Sequence, residues 1–192
     1  MMHIMIDLET FSLRKNCVIS EVGAVLFDPA APGTMETIIG KTWLLNMQEQ
    51  IDNKRDINIK TVQWWMQQDE KARMKIVNND MRLNIRAFLE DFRMEYDWDN
   101  ITGVWSNDIN FDLVILEELY REYKQEPPWH YRTPRSTRTL FWLVGMEDKK
   151  EHIQPIIKHS AAHDAVACAL TVQKAIAKLA GISGGLKCTN QT

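Results

Sequence analysis

The chain begins with a segment that has two opposed faces. Residues 3–8 read His3-Ile4-Met5-Ile6-Asp7-Leu8, and Glu9-Thr10 follow directly. Apolar and β-branched side chains at alternating positions predict a strand. On it Ile4, Ile6 and Leu8 form an apolar face, while Asp7 and Glu9, two residues apart, project from the other. The apolar face has to pack against a core. The other face carries two carboxylates that repel each other unless a cation lies between them. Solvated acids on an exposed edge strand are the blander reading, and the apolar flank weighs against it.

Two more strands follow closely. Val22 to Phe27 ends at Asp28-Pro29, and Lys41 to Leu45 comes after the turn residues Ala31-Pro32-Gly33. Short links between three early strands predict an antiparallel meander. The period then becomes helical. Thr61 to about Val77 reads as one helix capped by Thr61. Residues 81–96 read as another, with Met81, Ile85, Phe88, Leu89, Phe92 and Tyr96 on one face. Ile101 to Trp105 is a buried strand. A helix opening at Asp112 carries Leu116, Leu119, Tyr120 and Tyr123 on its apolar stripe, and Glu126-Pro127-Pro128-Trp129 ends it. The stretch 129–160 is less regular, with a short helix at Thr139 to Val144. Residues 162–180 form the last helix, with Ala165, Cys168, Ala169, Val172, Ile176 and Leu179 inward. The expected organisation is one α/β domain over 1–180 and a flexible tail over 181–192.

The charge balance narrows the function classes. Proteins that hold duplex nucleic acid by many phosphate contacts are usually basic, and this chain of 192 residues has a net charge of −3. If nucleic acid is the substrate, bound cations and a local basic patch offset its phosphates, and a short end is gripped rather than a long duplex. No run of about 18 apolar residues is present, so no membrane span is expected. The N-terminus lacks a signal peptide's basic and apolar blocks. Cys17, Cys168 and Cys188 lack metal-ligand spacing, which points to reduced thiols in the cytoplasm.

Further acids and a histidine stand where chemistry is done. In Trp105-Ser106-Asn107-Asp108-Ile109-Asn110-Phe111-Asp112, an amide and an acid follow a buried strand, where open sheets expose ligand sites. A helix-capping role is the alternative for Asp112. His159 and Asp164 lie five apart in His159-Ser160-Ala161-Ala162-His163-Asp164-Ala165, roughly 140° out of register on a helix. They serve one site only if His159 precedes the helix. His163 has the same chemistry but no favourable spacing, and reads as a helix-surface residue. Oxygen ligands without cysteine suit Mg²⁺ or Mn²⁺. Four carboxylates, Asp7, Glu9, Asp112 and Asp164, are enough for two ions about 3.5–4 Å apart. A histidine titrating near neutrality then suits a general base.

The set Asp7-Leu8-Glu9-Thr10, Asn107…Phe111-Asp112 and His159-x-Ala161-x-x-Asp164-Ala165 resembles the three exonuclease motifs of the DEDDh branch of the DEDD exonuclease superfamily. Thr61-Val62-Gln63-Trp64-Trp65-Met66-Gln67 and the Arg135-x-x-Arg138-Thr139-Leu140 segment are similar to a subgroup of phage and prophage exodeoxyribonucleases and bacterial 3′–5′ exoribonucleases. The resemblance implies an RNase H-like fold with a mixed five-stranded sheet, its first three strands antiparallel, flanked by helices. It implies that Asp7, Glu9 and Asp164 ligate metal, that Asp112 supports the second ion, and that His159 is the general base. It also implies that the Leu8 backbone and the Thr10 hydroxyl hold the terminal nucleotide and that Phe111 packs near it. Asn107 and Arg138 are carried over as substrate-binding positions. The chain departs from the pattern at Ser136-Thr137, where relatives often carry an acid.

The function so implied is hydrolysis of single-stranded 3′ ends to nucleoside 5′-monophosphates with two Mg²⁺ or Mn²⁺ ions, DNA slightly favoured over RNA. An oligoribonuclease-like exoribonuclease and a non-catalytic nucleic-acid-binding module are the alternatives. Arg132, Arg135 and Arg138, at intervals of three, are either phosphate ligands or a solvated face. Trp64, Trp65, Trp129 and Trp142 are able to stack bases. Core packing or a homodimer contact is favoured for Trp64 and Trp65.

Overall fold

The computed structural model describes residues 1–185 except 32, 36 and 78–81, and only the backbone of 182–185. Three strands come first, β1 (Met2–Thr10), β2 (Ile19–Phe27) and β3 (Lys41–Leu44). Four helices follow, α1 (Met47–Asp52), α2 (Ile59–Met66), α3 (Glu70–Val77) and α4 (Ile85–Glu95). The second half runs β4 (Ile101–Ser106), α5 (Asp112–Glu122), β5 (Pro134–Ser136), α6 (Thr137–Leu143) and α7 (Ala161–Gly185). The sheet order is β3-β2-β1-β4-β5. β1 pairs antiparallel with β2, and β2 with β3, while β4 and β5 are parallel additions. The fold is α/β with the RNase H-like arrangement, and the meander expected from the short early links is present.

β1 lies centrally because both its faces have apolar partners. Ile4, Ile6 and Leu8 belong to a core with Phe88, Leu89 and Phe92 of α4 and Leu113, Leu116 and Leu119 of α5. Met5, on the other face, joins Val25 and Phe27 in a second core with Phe141 of α6 and Ala165, Ala169 and Val172 of α7. Asp7 and Glu9 continue the Met5 face, so the acids point to the α7 side of the sheet. A smaller cluster of Phe11, Val18, Trp65 and Ala72 seats α2 and α3 beside the end of β1.

The start of α7 touches β2 directly. Gly23 is opposite Asp7 in the register. A Cβ at Gly23 would stand 2.1 Å from the carbonyl carbon of Ala161 and 2.2 Å from the Ala162 nitrogen. Only a residue without a side chain lets the first turn of α7 reach the strand beside Asp7.

Several boundaries differ from the sequence expectation. The helix expected over 61–77 is two helices. Asn58, not Thr61, caps α2 through the Lys60 amide at 2.9 Å, and Asp69 accepts the Ala72 amide at 2.9 Å to start α3. The helix from Asp112 stops before the prolines, because Lys124 adopts φ 57° just past its cap at Tyr123. α7 continues through Gly181 to Gly185, so the tail expected from 181 is helical at first; 186–192 and Met81 lie outside the described residues. Leu179 is exposed rather than inward. α1 and β5 were not foreseen, being too short for a periodicity to register.

Gly23→Ala is expected to destabilise the protein by about 1–3 kcal/mol, since backbone must move to admit the methyl group. Gly181→Ala, with nothing within 4 Å of the added carbon, is expected to raise stability by about 0.5–1 kcal/mol. Thermal melts of the two variants check the contrast.

Candidate active site

Three carboxylates converge at the end of β1. Oxygen atoms of Asp7, Glu9 and Asp164 all lie within 4.8 Å of one another. Asp7 and Glu9 are brought there by strand alternation, and Asp164 by the first turn of α7. The Asp164 carboxylate accepts the Ser160 amide at 3.0 Å, which fixes it to the start of its own helix. Asp112 is buried at the first position of α5, and its carboxylate is the strongest charge acting on Asp7.

The electrostatics of this group are lopsided. Burial, then the charges of Asp112, Glu9 and Asp164, push the Asp7 carboxyl well above the ordinary range. Glu9 is pushed up to about 8 by burial and by Asp164 and Glu21, with Lys75 opposing. Burial lifts Asp112 to about 7 against the pull of nearby backbone amides. Asp164 is raised by burial, in part offset by the Ser160 amide and His159. Hard, anionic oxygens held this close suit a divalent cation such as Mg²⁺ or Mn²⁺, which would satisfy charges that the protein leaves facing one another.

His159 lies in the loop before α7, as its spacing from Asp164 requires. Its φ of 57° is left-handed, an arrangement that costs a non-glycine residue about 1 kcal/mol and is met often at functional sites. The imidazole rests edge-on against Trp64, with centroids 4.8 Å apart, and near Trp65 at 5.9 Å. Trp65 is a core residue whose indole N–H donates to the Thr10 carbonyl at 3.0 Å; Trp64 stays 42% exposed beside the histidine. His163 is not a free surface residue: it is half-buried, with Nδ1 2.9 Å from the Ser160 hydroxyl.

The remaining candidates separate. A cleft of about 560 Å³ leads from Asp7 and Asp164 past Asn107, Arg138, Phe141 and His152. Asn107 accepts the Thr137 hydroxyl at 3.3 Å, and Arg138 pairs with Asp108 at 2.8 Å. Arg132 lies on Tyr131, and Arg135 donates to the carbonyls of Arg132 and Pro134; neither lines the cleft. The Leu8 side chain is in the core, the Thr10 hydroxyl donates to the Ser12 carbonyl at 3.0 Å, and Phe111 packs half-buried against the α5 core. One acid was missed. Glu21, 2% exposed, faces Glu9 across the β1–β2 register and accepts the Ala161 amide at 3.0 Å. Its signal was an acid beside the apolar run Val22 to Phe27, just where the strand was taken to begin.

A family model described as the 3′–5′ exoribonuclease Rv2179c-like domain matches residues 2–178. No curated protein matches the chain. Among solved structures, cell-death related nuclease 4 (CRN-4) is similar with a TM-score of 0.63 at 14% identity, over 92% of this chain and 64% of that one. E. coli Exonuclease I in complex with a dT13 oligonucleotide is similar with a TM-score of 0.56 at 17% identity, over 93% of this chain and 40% of that one. At these identities the two structures share the fold. The chain spans less than two thirds of either neighbour's length.

The raised carboxyls give a pH dependence. In the folded, metal-free protein these groups hold protons that the unfolded chain, with carboxyls near about 4, has already released. Their stabilising contribution is full below that value and is lost as pH rises through about 7 for Asp112 and about 8 for Glu9. The melting temperature in EDTA is therefore expected to fall between about pH 5 and about pH 8, and Mn²⁺ is expected to restore it most at the upper end. A flat profile in EDTA would mean that Asp112 and Glu9 are not raised.

Proposed function

The chain belongs to the family of Rv2179c-like 3′–5′ exoribonuclease domains, and from that premise we propose that it is a metal-dependent 3′–5′ exonuclease of the DEDDh type. The observation that carries the proposal is the convergence of Asp7, Glu9 and Asp164, with His159 held on a left-handed turn at the start of the same helix as Asp164. In this reading Asp7, Glu9 and Asp164 hold the cations, and Asp112 supports the second of two. When bound, Mg²⁺ or Mn²⁺ supplies the positive charge that stabilises a phosphodiester under attack and acidifies water.

The protein's own groups do the rest. An imidazole nitrogen of His159 takes the proton of the attacking water. The edge-on contact with Trp64 restricts the imidazole's rotation, so that its nitrogens stay directed to one place. The cleft with Asn107 and Arg138 at its wall receives the strand, and the exposed Arg138 exchanges its partner Asp108 for a phosphate. The product is a nucleoside 5′-monophosphate. The family description moves the preferred substrate from DNA to RNA. DNA is kept as a second reading because the fold neighbour E. coli Exonuclease I holds dT13.

End-labelled single-stranded RNA and DNA, with free or blocked 3′ ends and with Mg²⁺, Mn²⁺ or EDTA, test the proposal. Stepwise loss from the free 3′ end with a cation is expected; cleavage of blocked ends or in EDTA would overturn the mechanism. Asp7→Ala is expected to lower kcat by about three orders of magnitude or more. His159→Ala is expected to lower it about 10²–10³-fold while Mn²⁺ affinity stays within a few-fold. If His163→Ala proves more damaging than His159→Ala, the base has been misassigned.

A further inference from the structure

Glu21 is an acid of the site that the catalytic roles do not use. It rises from β2 opposite Glu9, on the face that carries Asp7 and Glu9. It is not one of the three residues whose oxygens converge. Its carboxylate is engaged otherwise. One oxygen accepts the Ala161 amide at 3.0 Å and the Ser160 hydroxyl at 3.4 Å, and both oxygens lie 3.3 Å from the Lys75 ammonium. Lys75 belongs to α3, so the ion pair joins the start of α7 to the α2–α3 pair.

These contacts meet at two residues that decide where the catalytic groups lie. The Ser160 amide is held by Asp164 and its hydroxyl by Glu21 and His163. Ala161 is the first residue of α7, and His159 directly precedes Ser160 with its left-handed φ. Pinning Ser160-Ala161 from β2 therefore sets both His159 and Asp164. Through Lys75 of α3 the same carboxylate holds the α2–α3 pair, whose α2 bears Trp64 and Trp65, the surface on which the His159 ring rests. The Glu21 side chain is 3% exposed and that of Lys75 31% exposed, so without the lysine a buried charge beside Glu9 and Asp164 would lose its ion-pair partner and keep the Ser160 and Ala161 hydrogen bonds and the influence of Arg82.

We propose that Glu21, neutralised by Lys75, is a positioning residue that fixes the start of α7 and docks the α2–α3 pair against it, and so places His159 and Asp164 without binding the cations itself. This rests on the exonuclease reading for its catalytic consequence.

The full-length chain is compared with Glu21→Gln, Lys75→Met and the double variant. Four quantities are read: amide exchange at Ser160 and Ala161, melting temperature, Mn²⁺ affinity by calorimetry, and kcat and KM on a labelled oligonucleotide. Glu21→Gln keeps an acceptor oxygen and loses the charge. It is expected to speed exchange at Ala161 and to lower kcat about tenfold, with KM within about twofold and Mn²⁺ affinity lowered by well under about 100-fold, because Glu21 only orients the ligand Asp164. Lys75→Met is expected to be worse than Glu21→Gln, and the double variant to recover to the Glu21→Gln level because the unpaired charge is gone. Mn²⁺ affinity weakened by more than about 100-fold in Glu21→Gln would make Glu21 a ligand and overturn the proposal. So would unchanged kcat with a lowered melting temperature, or unchanged exchange at Ala161. If the unsubstituted chain cleaves nothing, the exonuclease reading fails by itself, and exchange and Mn²⁺ affinity still decide the role of Glu21.

Discussion

Mutual repulsion among buried carboxylates is the constraint around which this protein is organised. Asp7, Glu9, Asp112 and Asp164 come from a strand and two helices and meet where burial raises every one of them. No such group assembles of its own accord. It is held by packing elsewhere: Ile4, Ile6 and Leu8 beneath β1 against α4 and α5, and Met5 above it against α6 and α7. The lysine that does approach, Lys75, is paired with Glu21. Protons or cations must satisfy the rest. The site's chemistry is thus the counterpart of its instability, and the apolar cores supply what keeps it together.

The approach of α7 to the sheet turns four separate acids into a site. Asp164 reaches Asp7 because the first turn of α7 lies on the bare backbone of Gly23, directly opposite Asp7. Glu21, two residues before Gly23 on the same strand, accepts the first amide of that helix. Sheet register, helix start and the loop at His159 are therefore one unit. Moving the turn at Ser160-Ala161 would move the carboxylate behind it and the histidine before it together.

Features with a strong period or a sharp chemical contrast were legible in the chain. The opposed faces of β1 followed from alternation, the meander from short links, and the place of His159 off the helix from its spacing to Asp164. What could not be read depended on partners distant in sequence. Glu21 is one acid on a strand until Ala161, some 140 residues later, donates to it. His163 looked like a surface residue because its Ser160 contact depends on how the chain enters α7. The break between α2 and α3 came from Asp69 competing for a backbone amide, a local choice that a continuous apolar pattern conceals. β5 exists because β4 offers a parallel edge, not because Pro134-Arg135-Ser136 has strand character.

In the proposed exonuclease, cations replace protons on a preformed carboxylate cluster. The direct measurement is the number of protons released when Mn²⁺ binds, from calorimetric titrations in buffers of different ionisation enthalpy at about pH 7. At least about one proton released per protein is expected, and fewer at about pH 9, where carboxyls raised to about 7 and about 8 have largely ionised. Binding that releases no proton at about pH 7 would mean that the carboxylates already stand ionised without a cation, and would contradict the account.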